Sequence, residues 1–447
     1  MIGDIPIIKT FASNKECYVY DAYTNRLLGV GKEIYCELCK LQKLGIAEYR
    51  KLGRTDRQYT DVIDLLDKGL FKSSFIERIE HPDAKYLREM IDRCINQLIL
   101  GITSSCNFKC RYCHQAEGKG LALQKMMDKE TAFKSVDFLY EHSKDAFEVT
   151  ITFYGGEPLL NFDLIKSTVG YAVEKIRTKN IVFNMTTNAS LINEEIADFL
   201  AANNFVLLIS LDGDEKTQDK HRRYLKNGEG TFNSVWKNVL YIRDKYPEYF
   251  NSNVSFNAVV LQDENPINVL RFFKENNISE TSVTIRRADM NGIDYYVSSI
   301  SLKNGSDDER LEGEMYKDFF ERLSDKKNIP PIWHHNGPCV PAVRRLFVNA
   351  DGEFYPCEKI DSDPSCLIGT LNNGINIEKA DVILNIGRLT EQECKSCWAL
   401  RFCTICVHNC INSGTWSRFM KLKSCEIQKK NAVAFLKKYA ESRGCLL

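Results

Sequence analysis

Short apolar runs alternate with amphipathic segments through the middle of the chain. Strands that are buried on both faces read as continuous Val, Ile, Leu and Phe runs, and strands that alternate with helices form a parallel sheet. The runs predict six strands, at Leu98–Thr103, Phe147–Tyr154, Ile181–Thr186, Phe205–Leu211, Val254–Leu261 and Ser282–Arg287. Helical spacing predicts helices at Lys129–His142, Phe162–Glu174, Glu194–Ala202, Thr231–Tyr246 and Pro266–Glu275. Six β/α units predict an α/β fold, a partial (β/α)6 barrel with its active site at the carboxyl ends of the strands.

The first 80 residues follow a different pattern, with strands before helices. Cys17–Tyr20 and Arg26–Val30 have strand composition and are separated by a turn at Thr24–Asn25. Tyr35–Leu44 and Asp56–Lys68 have helical spacing. We therefore expect a small winged-helix-like unit at the front of the chain.

Charge and cysteine content narrow the class of protein. Lys+Arg and Asp+Glu both number 60, so the chain lacks the basic excess of most nucleic-acid enzymes. No signal-like N-terminal stretch and no run of 18 apolar residues is present. Seventeen cysteines in such a chain must be kept reduced, which predicts a cytoplasmic protein. None lies between Cys113 and Cys339, and ten lie from Cys339 onward.

Three cysteines follow the first predicted strand in one short loop. Cys106, Cys110 and Cys113 have the spacing CxxxCxxC, with Tyr112 before the last of them. Three thiolates leave one iron of a cubane cluster open for a small molecule. A zinc loop is the alternative, with His114 as the nearest fourth ligand.

This loop resembles the signature of the radical SAM enzymes. The resemblance implies that the three cysteines are catalytic, because they hold the [4Fe-4S] cluster that binds S-adenosyl-L-methionine (SAM). An electron from that cluster splits SAM to a 5′-deoxyadenosyl radical. The same resemblance covers further strand ends and implies a SAM site formed by Tyr112, Gly155, Gly156, Glu157, Pro158, Thr187, Asn188, Ser210 and Arg222. Within it, the glycines admit a ligand to the backbone, Glu157 accepts from the SAM ammonium and Arg222 pairs with its carboxylate.

The cysteine-rich rear resembles the SPASM domain of radical SAM peptide-modifying enzymes, which implies two auxiliary [4Fe-4S] clusters and three clusters in all. One would be held by Cys394, Cys397, Cys403 and Cys425, and the other by Cys339, Cys357, Cys406 and Cys410. The chain departs from the family order, because two residues instead of three follow Cys403 before the next cysteine. Cys366 therefore stays an alternative to Cys410, and a zinc ribbon stays an alternative to the clusters.

The front unit resembles the PqqD-like recognition element that binds leader peptides of ribosomally made peptides (RiPPs). The resemblance implies that a leader adds to the strand Arg26–Val30 beside the helix Asp56–Lys68. A structural cap on the barrel is the alternative. The expected domains are thus 1–80 for leader binding, 81–95 as a bridging helix, 96–305 as the radical SAM core and 306–447 as the SPASM domain.

These resemblances predict a radical SAM oxidoreductase that installs a carbon–carbon or thioether crosslink in a ribosomally made precursor peptide. Its expected partners are that peptide with its leader and a low-potential electron donor, flavodoxin or ferredoxin, without nucleic acid or membrane. A sulfatase-maturating-type enzyme is one alternative. A non-catalytic iron–sulfur protein for electron transfer or peptide binding is another.

Overall fold

The computed structural model describes residues 4–13, 16–113, 125–261, 264–279, 282–287, 329–361 and 363–442. His114 and the predicted domain boundary at 305–306 lie outside these ranges. Contacts divide the chain into two compact units. The first contains the described parts of 1–86, 304–339 and 381–447, and the second those of 87–303 and 340–380.

The strands and helices are numbered in chain order. The strands are β1 Ile8–Ser13, β2 Glu16–Asp21, β3 Arg26–Val30, β4 Arg78–Ile79, β5 Gln97–Thr103, β6 Phe108–Cys110, β7 Glu148–Gly155, β8 Asn180–Thr187, β9 Val206–Ser210, β10 Arg222–Tyr224, β11 Val254–Val260, β12 Val283–Arg287, β13 Ile332–Trp333, β14 Leu346–Val348, β15 Glu353–Tyr355, β16 Gly369–Thr370, β17 Gly374–Ile375, β18 Ile411–Asn412 and β19 Thr415–Trp416. The α-helices are α1 Lys32–Leu44, α2 Ile46–Arg50, α3 Arg57–Asp67, α4 Leu87–Arg93, α5 Lys129–His142, α6 Phe162–Lys175, α7 Glu194–Ala202, α8 Glu215–His221, α9 Phe232–Lys245, α10 Pro247–Asn253, α11 Pro266–Glu275, α12 Ile377–Leu384, α13 Glu391–Lys395 and α14 Arg418–Ser442.

A mostly parallel sheet forms the centre of the second unit. Its order is β12-β11-β9-β8-β7-β5-β14-β15-β16-β17. The six predicted strands run parallel to one another in it, so the predicted α/β fold is confirmed. The sheet also continues past β5, because β14 pairs parallel to β5 and three short antiparallel strands follow. The six-unit prediction missed this extension, since two- and three-residue strands leave no readable alternation.

Side-chain caps fix where the crossover helices begin. The side chain of Asp128 accepts from the amide of Thr131, and that of Asn193 accepts from the amide of Ile196. Each cap satisfies an amide that has no partner inside its helix. Helices α5 and α7 therefore begin at the predicted residues, and their apolar faces are buried.

An antiparallel sheet of order β1-β2-β3 forms the front of the first unit. The predicted strands are present as β2 and β3, and the turn between them carries Asn25 at φ 55°, a conformation that Asn tolerates. The residues of strand β1 were not assigned from the sequence. Val19 and Leu28 lie on the sheet face that packs against α1 and α3.

The other face of this small sheet packs against the C-terminal part of the same unit. Phe11 and Tyr20 share a buried cluster with Phe402, Leu436 and Tyr439. The rings of Tyr20 and Phe402 meet edge to face at a centroid distance of 5.2 Å. Residues 1–80 thus complete a core whose other half lies near the chain end. Within the described residues, we find no helix with the length and apolarity needed to cross a bilayer.

This shared core gives a first prediction. Leu436→Ala removes a fully buried side chain from it and should lower the free energy of unfolding of the first unit by about 2–5 kcal/mol. Asn431→Ala, on an exposed position of the same helix, is the matched control. Thermal or urea unfolding followed by circular dichroism measures both. Equal stability of the two variants would contradict the shared core.

Candidate functional site

The three-cysteine loop is held between the sheet and a short ribbon. Cys106 follows the end of β5, and strand β6 then pairs antiparallel with β10, which sets Cys110 opposite Arg222. The amide of Arg111 donates to the carbonyl of His221 at 2.9 Å. The pairing with β10 and this hydrogen bond restrain the loop between Cys106 and Cys113.

Gly155 and Gly156 dock the end of β7 onto the start of the same loop. The amide of Gly156 donates to the carbonyl of Thr103, and the amide of Glu157 donates to that of Ser105, both at 2.9 Å. A Cβ on Gly155 would lie 2.0 Å from the Thr103 oxygen, and one on Gly156 2.1 Å from the Ser105 oxygen. From the sequence, these glycines were expected to admit a ligand to the backbone. The structure shows that the chain's own backbone requires them.

Glu157 is buried and joins two strand ends. Its carboxylate accepts from the hydroxyl of Thr187 at 2.7 Å, from the amide of Asn188 at 2.7 Å and from the amide of Leu159 at 3.1 Å. Burial raises the pKa of Glu157 to about 7, and these donors act against that rise. Pro158, also buried, begins the short 3-10 turn that follows. The Glu157 carboxylate, which was predicted to accept from the SAM ammonium, thus accepts mostly from protein donors.

The end of β8 reaches back to the cysteine loop through side-chain amides. Nδ2 of Asn188 donates to Oδ1 of Asn107 at 2.8 Å, and Asn107 in turn donates to the hydroxyl of Ser190 at 2.9 Å. Asn107 stands directly after Cys106. The third strand of the predicted series therefore positions the loop as well.

Arg222 is buried beside the loop with a carboxylate partner. Its Nε lies 3.0 Å from Oδ2 of Asp212, its Nη1 lies 3.9 Å from the sulfur of Cys110, and its guanidinium lies 5.3 Å from the centre of the Tyr112 ring. The hydroxyl of Tyr112 donates to the same Asp212 oxygen. Burial alone would lower the pKa of Arg222, but the charge of Asp212 raises it, so Arg222 stays cationic.

A cavity of about 280 Å³ is lined by residues from these strand ends. It lies within the second unit. Its lining includes most of the predicted site residues, namely Cys106, Cys110, Tyr112, Cys113, Gly155, Gly156, Thr187, Asn188, Ser210 and Arg222. Glu157 and Pro158 are not among its lining residues and support its wall from behind.

The cavity also includes residues that the sequence analysis did not single out. Asn257 and Arg286 come from β11 and β12, whereas Glu358 and Lys359 follow β15. A polar residue inside the apolar run Val254–Val260 was the one available signal for Asn257. No sequence signal pointed to Glu358 and Lys359, because the sheet extension that brings them to the cavity was not predicted.

The donor set fits a cluster and a polar small molecule. Three thiols from one loop line a cavity that also offers the hydroxyl of Ser210 and the cation of Arg222. Oδ1 of Asn257 is buried there without a hydrogen-bond partner among the described residues, so a bound donor would satisfy it.

Metal binding at this loop would release protons. Burial raises the pKa of Cys106 to about 12 and that of Cys110 to about 11, so a metal must displace both protons. Within the described ranges, no three Cys, His, Asp or Glu side chains already surround a common point suited to a metal ion.

The rear cysteines fall into both units. Cys394, Cys397, Cys403 and Cys425 belong to the first unit. Burial, and to a smaller extent the proximity of the other cysteines in this group, raises the pKa of Cys397, Cys403 and Cys425, so the four thiols lie near one another. Cys410 is buried in the same unit. Its burial raises the pKa of its thiol, and the nearby Cys406, Cys425 and Cys394 add to that rise. Cys339 also belongs to the first unit, whereas Cys357 and Cys366 belong to the second.

Comparisons with known proteins identify the class. A model of the radical SAM superfamily matches residues 100–275. The uncharacterized protein MJ0907 of Methanocaldococcus jannaschii is 30% identical over 318 residues, which cover 69% of this chain and 96% of that protein. The chain belongs to the radical SAM superfamily, and membership implies a [4Fe-4S] cluster and SAM.

Two relatives carry named activities. The cysteine-type anaerobic sulfatase-maturating enzyme of Clostridium novyi is 30% identical over 41% of this chain and 49% of its own length. The radical SAM cyclopropyl synthase TigE of Paramaledivibacter caminithermalis is 23% identical over 58% of this chain and 57% of its own length. The chain spans about half the length of each. The solved structure of native anSMEcpe with bound AdoMet shares the fold, with a TM-score of 0.52 and 19% identity over 78% of this chain and 100% of that one.

The docking of Gly156 onto the cysteine loop gives the second prediction. Gly156→Ala places a methyl group against the Ser105 carbonyl, so either strand β7 or the loop must move. We expect a loss of stability of about 1–3 kcal/mol and impaired iron incorporation. Unfolding curves and iron analysis after anaerobic reconstitution measure the two effects.

Gly170→Ala is the matched control, because nothing lies within 4 Å of a Cβ at that helical position. It should be neutral or stabilising by up to about 1 kcal/mol. Normal iron content and stability in Gly156→Ala would show that the loop does not depend on this contact.

Proposed function

We propose that this radical SAM enzyme modifies a ribosomally made precursor peptide and installs a carbon–carbon or thioether crosslink. The observation that carries the proposal is the cavity in which Cys106, Cys110 and Cys113 meet the ends of β7, β8 and β9. A radical SAM protein needs its three cysteines and its SAM contacts at one edge of one sheet, and this cavity is lined by the three cysteines and by residues proposed to contact SAM. When bound, the cluster and SAM supply a 5′-deoxyadenosyl radical that abstracts hydrogen from an unactivated carbon.

In this proposal, different residues of the cavity bind the cluster and SAM. The three cysteine thiolates hold the cluster, and the ribbon β6–β10 keeps their loop in place. Ser210, Asn188 and the backbone of Gly155 bind SAM, with the buried amide oxygen of Asn257 as a further acceptor. Tyr112 flanks the adenine.

Arg222 remains the proposed partner of the SAM carboxylate. Asp212 engages its Nε, which leaves the terminal guanidinium nitrogens toward Cys110 and the cavity. Asp212 is then a positioning residue, since its other oxygen accepts from the amide of Val259 on the neighbouring strand.

The rear cysteines are proposed to hold two auxiliary [4Fe-4S] clusters, which brings the total to three. The mutual proximity of Cys394, Cys397, Cys403 and Cys425 supports one of them. Cys339, Cys357, Cys406 and Cys410 are the proposed ligands of the other. A low-potential flavodoxin or ferredoxin is the proposed electron donor.

The front unit is proposed to bind the leader of the precursor. Strand β3 is an edge of its sheet, so it can accept a further strand from a peptide. Leu28 on β3 and Val62 on α3 belong to the same apolar cluster, which places the helix beside that edge. The domain division at residues 80, 95 and 305 is part of this proposal.

A sulfatase-maturating-type activity is the second candidate. The relative from Clostridium novyi favours it, and the solved structure of native anSMEcpe with bound AdoMet and the Kp18Cys peptide shares the fold at a TM-score of 0.51. Either candidate acts on a peptide, so the identity of the modified product separates them. Mass spectrometry after reaction would show formylglycine in the one case and an intramolecular crosslink in the other.

The cluster assignment gives the third prediction. Anaerobically reconstituted protein should contain about twelve irons per chain, because each cubane holds four. Replacing Cys106, Cys110 and Cys113 together by Ala should reduce this to about eight and abolish 5′-deoxyadenosine formation with dithionite. Iron and sulfide analysis and chromatography of the SAM products measure both.

About four irons with stoichiometric zinc in the unaltered protein would refute the auxiliary clusters. SAM cleavage that persists in the triple variant would refute the assignment of the cavity. The two parts of the proposal therefore fail separately.

The leader site gives the fourth prediction. Leu28→Pro removes an amide from β3 and distorts the edge, so it should weaken binding of a precursor from a neighbouring small open reading frame at least tenfold. SAM cleavage without peptide should be unchanged. Leu28→Val is the control, because it retains the amide and an apolar side chain. Fluorescence anisotropy with a labelled leader measures affinity.

Deletion of residues 1–80 is a poorer test, since it exposes Phe402, Leu436 and Tyr439. Equal leader affinity in a folded Leu28→Pro variant and in Leu28→Val would make the front unit a structural cap.

A further inference from the structure

Lys421 is a buried cation in the cysteine-rich part of the first unit. Its residue surface is 1% exposed, and it lies on the first turn of α14. Lysine is almost never fully buried unless its ammonium is paired. The contacts of this side chain therefore indicate which group the buried charge stabilises.

Three groups surround the ammonium. Nζ of Lys421 donates to the hydroxyl of Thr390 at 2.6 Å, to the carbonyl of Gly387 at 3.2 Å and to the sulfur of Cys394 at 3.7 Å. The Thr390 hydroxyl itself lies 3.3 Å from the Cys394 sulfur. The cation is thus directed at a cysteine by two neutral oxygen acceptors.

None of these partners is a carboxylate. Across the part of the chain that the structure describes, Lys421 forms no ion pair with Asp or Glu. Of the nearby acids, Glu391 pairs with Lys395 at 2.9 Å, and Glu393 pairs with Arg418. A buried charge without a counter-charge is strongly unfavourable. The site accordingly calls for an anion that protein carboxylates do not provide.

The neighbouring imidazole is fixed in a neutral form. Nε2 of His334 accepts from the amide of Gly387 at 2.8 Å, and an imidazole nitrogen that accepts is unprotonated. A Cβ on Gly387 would lie 2.3 Å from that nitrogen, so the Gly387 carbonyl that binds Lys421 is held in place. Packing, not a second charge, positions the ammonium.

Two further cysteines lie in the neighbourhood of the ammonium. Cys425 lies one turn along α14 from Lys421 on the same helix face. Burial raises the pKa of both Cys410 and Cys425, and the positive charge of Lys421 acts against that rise. Lys421 thus contacts Cys394 directly and lies close enough to Cys410 and Cys425 for its charge to affect their thiols.

We propose that Lys421 is a positioning residue that sets the reduction potential of the auxiliary cluster assigned to Cys394, Cys397, Cys403 and Cys425. The inference rests on the proposed function, which places a cluster there. Four thiolates on a [4Fe-4S] core carry net negative charge, and reduction adds one more. A buried cation that donates to a ligand sulfur favours the reduced form, because hydrogen bonds to sulfur and local charge set such potentials.

The test is a redox titration of the intact holoprotein, followed by electron paramagnetic resonance. Lys421→Met keeps the length of the side chain and removes its charge. We expect the equilibrium constant for reduction of the cluster assigned to Cys394 to fall at least tenfold. For a one-electron couple, this lowers the reduction potential by at least 59 mV. The SAM-site cluster should be unchanged and serves as the internal reference, whereas the other auxiliary cluster, for which Cys410 is a proposed ligand, should shift less than the cluster assigned to Cys394. Lys423→Met removes the same charge from an exposed position of the same helix and should shift none of them.

The outcomes separate this inference from the function on which it rests. Wild-type protein without auxiliary clusters would refute the proposed function. Full iron content with an unshifted potential in Lys421→Met would refute the role of Lys421 alone. If Lys421→Met loses the cluster, Lys421→Arg decides, because retained charge should restore iron and near wild-type potential. Loss of iron in both would show that the lysine only fills space.

Discussion

The backbone contact between the end of β7 and the cysteine loop is the constraint on which the site depends. Two amides of the Gly155–Glu157 turn donate to the carbonyls of Thr103, at the end of β5, and Ser105, at the start of the loop, and the distances leave no room for a Cβ at either glycine. Glu157 then joins this turn to the end of β8 through Thr187 and Asn188. Three consecutive segments are therefore positioned by one set of hydrogen bonds, and the cysteines take their place from it.

Buried cations lie beside cysteines in each of the two units. Asp212 neutralises Arg222 beside the SAM-site cysteines, whereas Lys421 faces the rear cysteines with neutral oxygens and a sulfur as its partners. A paired cation can orient a ligand without a large field, and an unpaired one imposes its field on whatever anion lies next to it. The two proposed cluster environments thus differ in how they use positive charge.

Sequence patterns predicted the central fold well, because parallel strands and capped helices have strong local signals. Helix α7 begins after its Asn193 cap at the predicted residue, and α11 matches over its whole length. The extension β14–β17 could not be read, since its pairing with β5 depends on contacts between segments more than 200 residues apart. For the same reason Glu358 and Lys359 were missing from the expected cavity.

The role of individual residues was harder to predict than their location. A motif places Glu157 at the site, but it cannot say that the carboxylate will be directed at Thr187 and Asn188. Likewise, the spacing of the rear cysteines does not disclose that the buried Lys421 contacts Cys394. These features arise from tertiary packing.

The central claim is that the strand-end cavity binds a cluster and SAM together. The most direct measurement is electron–nuclear double resonance on the dithionite-reduced protein with SAM that is ¹⁵N-labelled at its amino group. The account predicts a nitrogen coupling to a cluster signal that is absent when Cys106, Cys110 and Cys113 are replaced. A cluster signal without any coupling to SAM would contradict it.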